Sequence, residues 1–217
     1  GNLWRWLRSE IPSIARDVSV IFTCADWVAF KLTGELATDF SNASIPFLDF
    51  DERQYSASSI EALECSELEK VLLKPRPTSE CLGKVTKQAS VETGLPVGLP
   101  VSVGTLDLGA MVVGMGLDKP GQAMMIVGTT AVVNILTDPV EPSDMPVGAS
   151  VLHPTSETII RVLAPTTGAG AFNWFASLHP ASLGGESVHE IAAKINLLVA
   201  DVPPGAAELT HEGGQRG

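Results

Sequence analysis

One carboxylate stands alone in the stretch Pro100–Gly116, PVSVGTLDLGAMVVGMG: Asp107, among apolar and glycine residues. A short β-type run with Val101 and Val103 precedes it, and a small-residue helix pattern with Met111, Val112, Val113 and Met115 follows. A carboxylate at the junction of a buried strand and a buried helix is costly to desolvate unless something holds it. Asp107 is therefore the first functional candidate, or simply the N-cap of a helix starting at Leu108, since Asp favours that position. A Gly-Thr-Thr turn, Gly128-Thr129-Thr130, lies between two β-type runs and has the backbone N–H groups and hydroxyls to hold a phosphate. Thr166-Thr167-Gly168-Ala169-Gly170 enters a helix, and helix N-termini favour anions. Each of these turns also reads as plain backbone geometry. Neither fits the G-x-x-x-x-G-K-[ST] phosphate loop.

Bulk properties narrow the chemistry. A 217-residue chain with a 45% hydrophobic and 18% charged composition has room for a sizeable core, in one large domain or two modest ones. Its formal net charge of −11, without a basic cluster, argues against a nucleic-acid partner. A membrane span is rejected as well: Pro100–Gly116 is short, carries Asp107 and Pro100, and has no basic flank. Cys24, Cys65 and Cys81 lack metal-ligand spacing and read as reduced thiols of a cytoplasmic protein. The histidines at 153, 179, 189 and 211 are scattered, so no zinc site is expected.

Positioning elements come next. Helical spacing covers residues 3–16, with a break or new first turn at Pro12. Val18–Phe22 reads as a β-type run. A helix over Asp26–Thr33 shows Trp27, Phe30 and Leu32 on one side and stops at Gly34. The polar stretch Ala37–Ser44 is expected as a loop bearing Asp39, Ser41 and Asn42. One helical stretch is expected over 56–73 and a short helix over Thr86–Thr93. Pro120-Gly121 marks the best boundary, with residues 1–117 before it, a hinge at 118–121 and a second unit over 122–217. Beyond the hinge, strands are expected at 123–127, 131–136 and 158–163, then helices over 171–178 and 188–198. The architecture reads as α/β in two units.

Taken in order, these pieces resemble the FGGY carbohydrate kinases. Asp26-Trp27-Val28-Ala29-Phe30-Lys31-Leu32-Thr33-Gly34 is similar to the family's D-[YW]-x-x-x-x-L-T-G, and Thr38–Ser44 to its T-D-x-S-x-A-S segment. Gly83-Lys84-Val85-Thr86 and Thr93-Gly94-Leu95-Pro96 resemble its approach to the core strand, and Gly170–Phe175 its Gly-Ala-x-x-Trp helix start. The resemblance covers roughly residues 3–178 and implies the actin-like ATPase (ribonuclease H-like) two-domain fold. This chain would supply the end of domain one and the start of domain two.

The resemblance further implies an ATP-dependent sugar kinase using Mg²⁺, with Asp107 as catalytic base. Gly128, Thr129 and Thr130 would hold phosphate, Gly170 would allow the nucleotide close approach, and Asp39 would contact the sugar or shape its loop. No protein ligand to the metal is implied. Around the aspartate the family usually has G-G-x-D-[NQ], whereas this chain has Gly104-Thr105-Leu106-Asp107-Leu108. That departure moves the expected acceptor towards a ketopentose, a tetritol or a related polyol. The resemblance leaves open a homodimer through the exposed edges of such a portion. The rival reading is a non-catalytic binding module on the same fold, or an inactive portion of a kinase.

Overall fold

The computed structural model describes residues 1–45, 47–128, 130–139, 148–164, 167–178 and 187–203. It divides into two compact units: Gly1–Ala123 with Ile135–Arg161, and the described residues of Met124–Asn134 with Val162–Gly217. The described residues of 135–161 thus belong with the first unit, although they follow the expected hinge in sequence.

In the first unit, α1 (Asn2–Glu10) gives way to α2 (Pro12–Asp17), which has Pro12 in its first turn, where the missing N–H costs nothing. Helix α3 (Cys24–Thr33) opens with a capping box. Thr23 accepts from the Asp26 N–H while the Asp26 carboxylate accepts from the Thr23 N–H, and Gly34 closes the helix at φ 81°. Its buried face is Asp26, Ala29 and Thr33, whereas Trp27 is exposed. The expected apolar side is therefore rotated, because the capping box draws Asp26 inward.

The Val18–Phe22 run makes only a single parallel bridge, Ile21 to Leu72. Strand β1 (Thr38–Asp39) pairs in parallel with β4 (Pro75–Arg76) and leads into the short helix α4 (Phe40–Ala43). The stretch expected as a polar loop is buried: Thr38, Asp39, Ser41 and Ser44 are all inside. Strands β2 (Leu48–Asp49) and β3 (Gln54–Tyr55) form a small antiparallel pair. The helix expected over 56–73 is cut in two. Helix α5 (Ala57–Ala62) ends before Glu64, which takes φ 54°, and a 3₁₀ turn follows at Ser66–Lys70. The break seats Cys65 and Leu68 with Trp4, Phe47 and Ile60 in one apolar cluster.

Strands β5 (Cys81–Lys84) and β6 (Pro100–Ser102) are antiparallel, and α6 (Lys87–Thr93) lies between them in sequence, capped by Thr86 and closed at Gly94. Helix α7 spans Asp107–Gly114. Four later strands form one sheet in the order β7-β8-β10-β9, with β7 Ala123–Val127, β8 Ala131–Thr137, β9 Ala149–Leu152 and β10 Ile159–Leu163. In the second unit, α8 (Ala169–Ser177) packs on α9 (Val188–Val199) through Ala176, Ile191 and Ile195, with Phe172 alongside. The three cysteines are unpaired. Among the described residues, no helix is long and apolar enough to cross a membrane.

Candidate active site

Asp107 is the first residue of α7, and Leu106 stands at the N-cap without a side-chain bond. The carboxylate is exposed, which corrects the expectation of a buried one. The physical reason is the direction of the helix face. Leu108, Gly109 and Val112 form its inward stripe, while Asp107, Met111, Val113 and Met115 point out. Oδ1 accepts from the Leu108 N–H at 2.7 Å, and Oδ2 takes no hydrogen bond among the described residues. The carboxylate thus satisfies one helix-start donor and keeps an oxygen for a ligand.

The entry to α7 is anchored by backbone bonds. The Val103 N–H donates to Glu80 O at 3.0 Å and the Gly104 N–H to Thr78 O at 3.3 Å. Gly104 adopts φ 83°, a conformation that favours glycine and turns the chain from strand to helix.

Asp39 does something other than touch a ligand. It is fully buried and caps α4: Oδ2 accepts from the Ser41 N–H (3.1 Å) and Oδ1 from the Asn42 N–H (3.0 Å). Asn42 Nδ2 donates to Oδ1 at 2.7 Å and the Thr78 hydroxyl to Oδ2 at 3.0 Å. With four donors on it and no exposed surface, Asp39 holds its segment in place, and the expected sugar contact is set aside. Thr78 then joins Asp39 to Gly104, three residues before Asp107. Sequence reasoning missed Thr78, whose only local signal is a hydroxyl after Pro77.

Asp26 is a second buried carboxylate. It lines a largely apolar cavity of about 470 Å³ in the first unit, together with Trp4, Ile21, Thr38, Phe47 and Tyr55. Oδ2 accepts from the Thr23 N–H at 3.0 Å, and Oδ1 is buried without a hydrogen-bond partner. Burial raises the Asp26 carboxyl above its ordinary 3.8, with the bond from the Thr23 N–H pulling the other way. Burial also raises the Tyr55 hydroxyl, reinforced by the charges of Asp26 and Asp39.

A consequence follows for stability. Above pH about 3.8 the unfolded chain releases the Asp26 proton while the folded chain still holds it, so stability falls as pH rises through the folded value. The contribution is complete only below the unfolded value. Asp26→Asn keeps an acceptor for Thr23 and removes the titration. Urea unfolding across a pH series is expected to show the variant gaining on the parent as pH rises above 3.8, then levelling. A pH-independent difference would contradict the raised value.

In the second unit the structure brings the two glycine turns together. The Ala169 N–H, at the start of α8, donates to Gly128 O at 2.8 Å, and the Gly128 N–H donates to Thr130 O at 2.8 Å. A Cβ at Gly168 would lie 2.4 Å from Thr130 C and 2.7 Å from Ala131 N, so only glycine lets the two backbones meet there. Gly128 and Thr130 are exposed and Gly170 is half-buried in the first turn of α8. Thr129 and Thr166 lie outside the described residues. Among the described residues, no group of three or more His, Cys, Asp or Glu could hold a metal ion.

Comparison with known proteins gives this geometry a context. The model of the FGGY family of carbohydrate kinases, N-terminal domain, matches residues 2–114. Autoinducer-2 kinases of Photorhabdus laumondii and an Enterobacter species are each 37% identical over 141 residues, which is 62% of this chain and 26% of each relative. The chain therefore spans about a quarter of the length of the curated relatives it matches. Xylulose kinase from Rhodospirillum rubrum superposes with a TM-score of 0.80 at 24% identity, over 93% of this chain and 40% of that one. Plasmodium falciparum glycerol kinase with ADP gives 0.70 at 18% identity, over 82% and 37%. These structural likenesses show the actin-like ATPase fold.

Proposed function

Because this chain belongs to the FGGY family of carbohydrate kinases, we propose that the intact protein transfers the γ-phosphate of MgATP to a hydroxyl of a ketopentose or related sugar or polyol. Asp107 is the general base. The observation that carries this reading is the exposed carboxylate at the start of α7, with one oxygen fixed by Leu108 and the other uncommitted. Phosphoryl transfer asks little covalent chemistry of a protein; it needs alignment and charge stabilisation. Asp107 takes the proton of the acceptor hydroxyl as that oxygen adds to the γ-phosphorus and the bond to the ADP oxygen breaks.

Gly128 and Thr130, both exposed, and the first turn of α8, with Gly170, offer a threonine hydroxyl and a helix start suited to phosphate oxygens. Thr129 belongs to the same proposed phosphate contact. Mg²⁺ would arrive with the nucleotide phosphates and keep several of its waters. By function we divide the sequence into a sugar-side part over 1–117, a hinge at 118–121 and a nucleotide-side part over 122–217; of the last, the described residues of 135–161 pack with the first compact unit.

A second reading of the acceptor has its own support. The sequence identity to autoinducer-2 kinases favours autoinducer-2 as the acceptor in place of a ketopentose. An ATP-consumption assay of the intact protein against D-xylulose, L-xylulose, erythritol, glycerol and autoinducer-2 separates the two. Turnover with a pentulose supports the first reading and turnover confined to autoinducer-2 the second. ATP consumption with none of them contradicts the kinase proposal.

A further inference from the structure

The turn between β9 and β10 makes contacts with α7 that the proposed chemistry has not used. We infer that His153, with Pro154 beside it, is a positioning residue that locks the helix carrying Asp107. What this says of turnover rests on the kinase reading; what it says of the helix does not.

His153 is buried, and both ring nitrogens are engaged. Nδ1 accepts from the Thr155 N–H at 3.1 Å and the Ser156 N–H at 3.0 Å, so it carries no proton. The ring proton is then on Nε2, which donates to Leu117 O at 2.8 Å. Leu117 completes the C-terminal cap of α7. Its N–H bonds to Val112 O (3.1 Å), the Gly116 N–H bonds to Val113 O (2.9 Å), and Gly116 adopts φ 68°. One residue therefore closes the helix with its N–H and ties it to a buried imidazole with its carbonyl.

The second contact lies near the other end of the helix. A Cβ at Gly109 would fall 2.8 Å from Pro154 Cγ and 2.5 Å from Thr105 Oγ1, so α7 rests against the turn two residues after Asp107. The turn is itself held from behind. Leu152 O accepts from the Ser41 hydroxyl at 2.9 Å, and the Leu152 N–H donates to Ser44 Oγ at 3.0 Å. Ser41 and Ser44 flank Asn42, whose partner Asp39 reaches the entry of α7 through Thr78 and Gly104. Both ends of α7 are thus fixed to α4, one through Thr78 and the other through Leu152 and His153. A base must lie within hydrogen-bond reach of its proton, and a misplacement of about 1 Å can cost roughly 10²-fold in rate.

Two substitutions separate the halves of the imidazole. His153→Asn keeps an acceptor where Nδ1 stands, preserving the turn, and is too short to reach Leu117. His153→Gln keeps a donor near Nε2 and gives up the turn acceptor. Amide hydrogen exchange and kinetics of the intact protein are the readouts. His153→Asn is expected to speed exchange over residues 108–117 about five- to tenfold and leave Thr155 and Ser156 unchanged. Its kcat is expected to fall roughly ten- to a hundredfold at unchanged KM for ATP. His153→Gln is expected to recover protection of α7.

Should the Asn variant fold poorly, Gly109→Ala tests the close packing of this helix face on Thr105 and Pro154. Alanine ordinarily favours a helix over glycine, yet here exchange over 108–117 is expected to quicken. Unchanged α7 protection in His153→Asn, or slower exchange in Gly109→Ala, would overturn the inference. So would lost protection with an unchanged kcat. A protein that phosphorylates no acceptor would sink the kinase reading alone, because exchange still decides whether His153 locks α7.

Discussion

Asp107→Asn in the intact protein is expected to lower kcat by about 10²–10⁴, the usual contribution of a positioned general base, while KM for ATP stays near the parent value. The substitution is nearly isosteric and keeps an oxygen for the Leu108 N–H, so α7 keeps its first turn. What it removes is the capacity to take a proton, together with a negative charge at a helix start that is worth about 0.3–1 kcal/mol. Fold stability should change little and turnover a great deal. Steady-state kinetics beside a urea titration of the same preparation reads both. A normal kcat would reduce Asp107 to a helix-start residue, and a collapse of stability would give its carboxylate a structural role.

Asp39→Ala is expected to give the opposite pattern: a loss of stability of about 3 kcal/mol or more, felt throughout the first unit. Truncation leaves the Ser41 and Asn42 N–H groups, Asn42 Nδ2 and the Thr78 hydroxyl without their acceptor, with Ser41 fully buried and Asn42 and Thr78 half-buried. Each stranded buried donor costs about 1–3 kcal/mol, reduced wherever one finds a new partner. The urea midpoint should fall at an unchanged slope. A loss below about 1 kcal/mol would mean that the segment holds itself without the carboxylate, and would reopen a ligand contact for Asp39.

The difference between those two aspartates was not legible in the sequence, and the reason is range. Gly34, Thr86 and Gly94 announce helix ends through their own backbone preferences, and the strands at 123–127 and 131–137 follow from local β-branched runs. The partners of the 38–44 stretch lie far away in sequence: Thr78 for Asp39, Leu152 for Ser41 and Ser44. Nothing within a dozen residues tells a polar loop from a buried polar knot. The exposure of Asp107 was misjudged for a related reason. Its neighbours are apolar, but a helix start turns successive residues outward and inward by about 100° each, so composition does not fix burial.

His153 was passed over as one of four scattered histidines, because its partners are backbone groups rather than ligand-like side chains. The return of the described residues of 135–161 to the first unit goes with the same long-range bonds at Leu152 and His153, which no linker composition signals. The order of the two glycine turns was legible, and their contact through Ala169 and Gly128 was not, since 41 residues separate the partners.

The most direct measurement is the mass of the acceptor after incubation of the intact protein with MgATP, followed in parallel with ADP. The proposed transfer places one phosphate on the acceptor for each ADP released, with both signals falling together by about 10² or more in Asp107→Asn. ADP release with no phosphorylated acceptor would contradict it, as would an Asp107→Asn protein that phosphorylates the acceptor at the parent's rate.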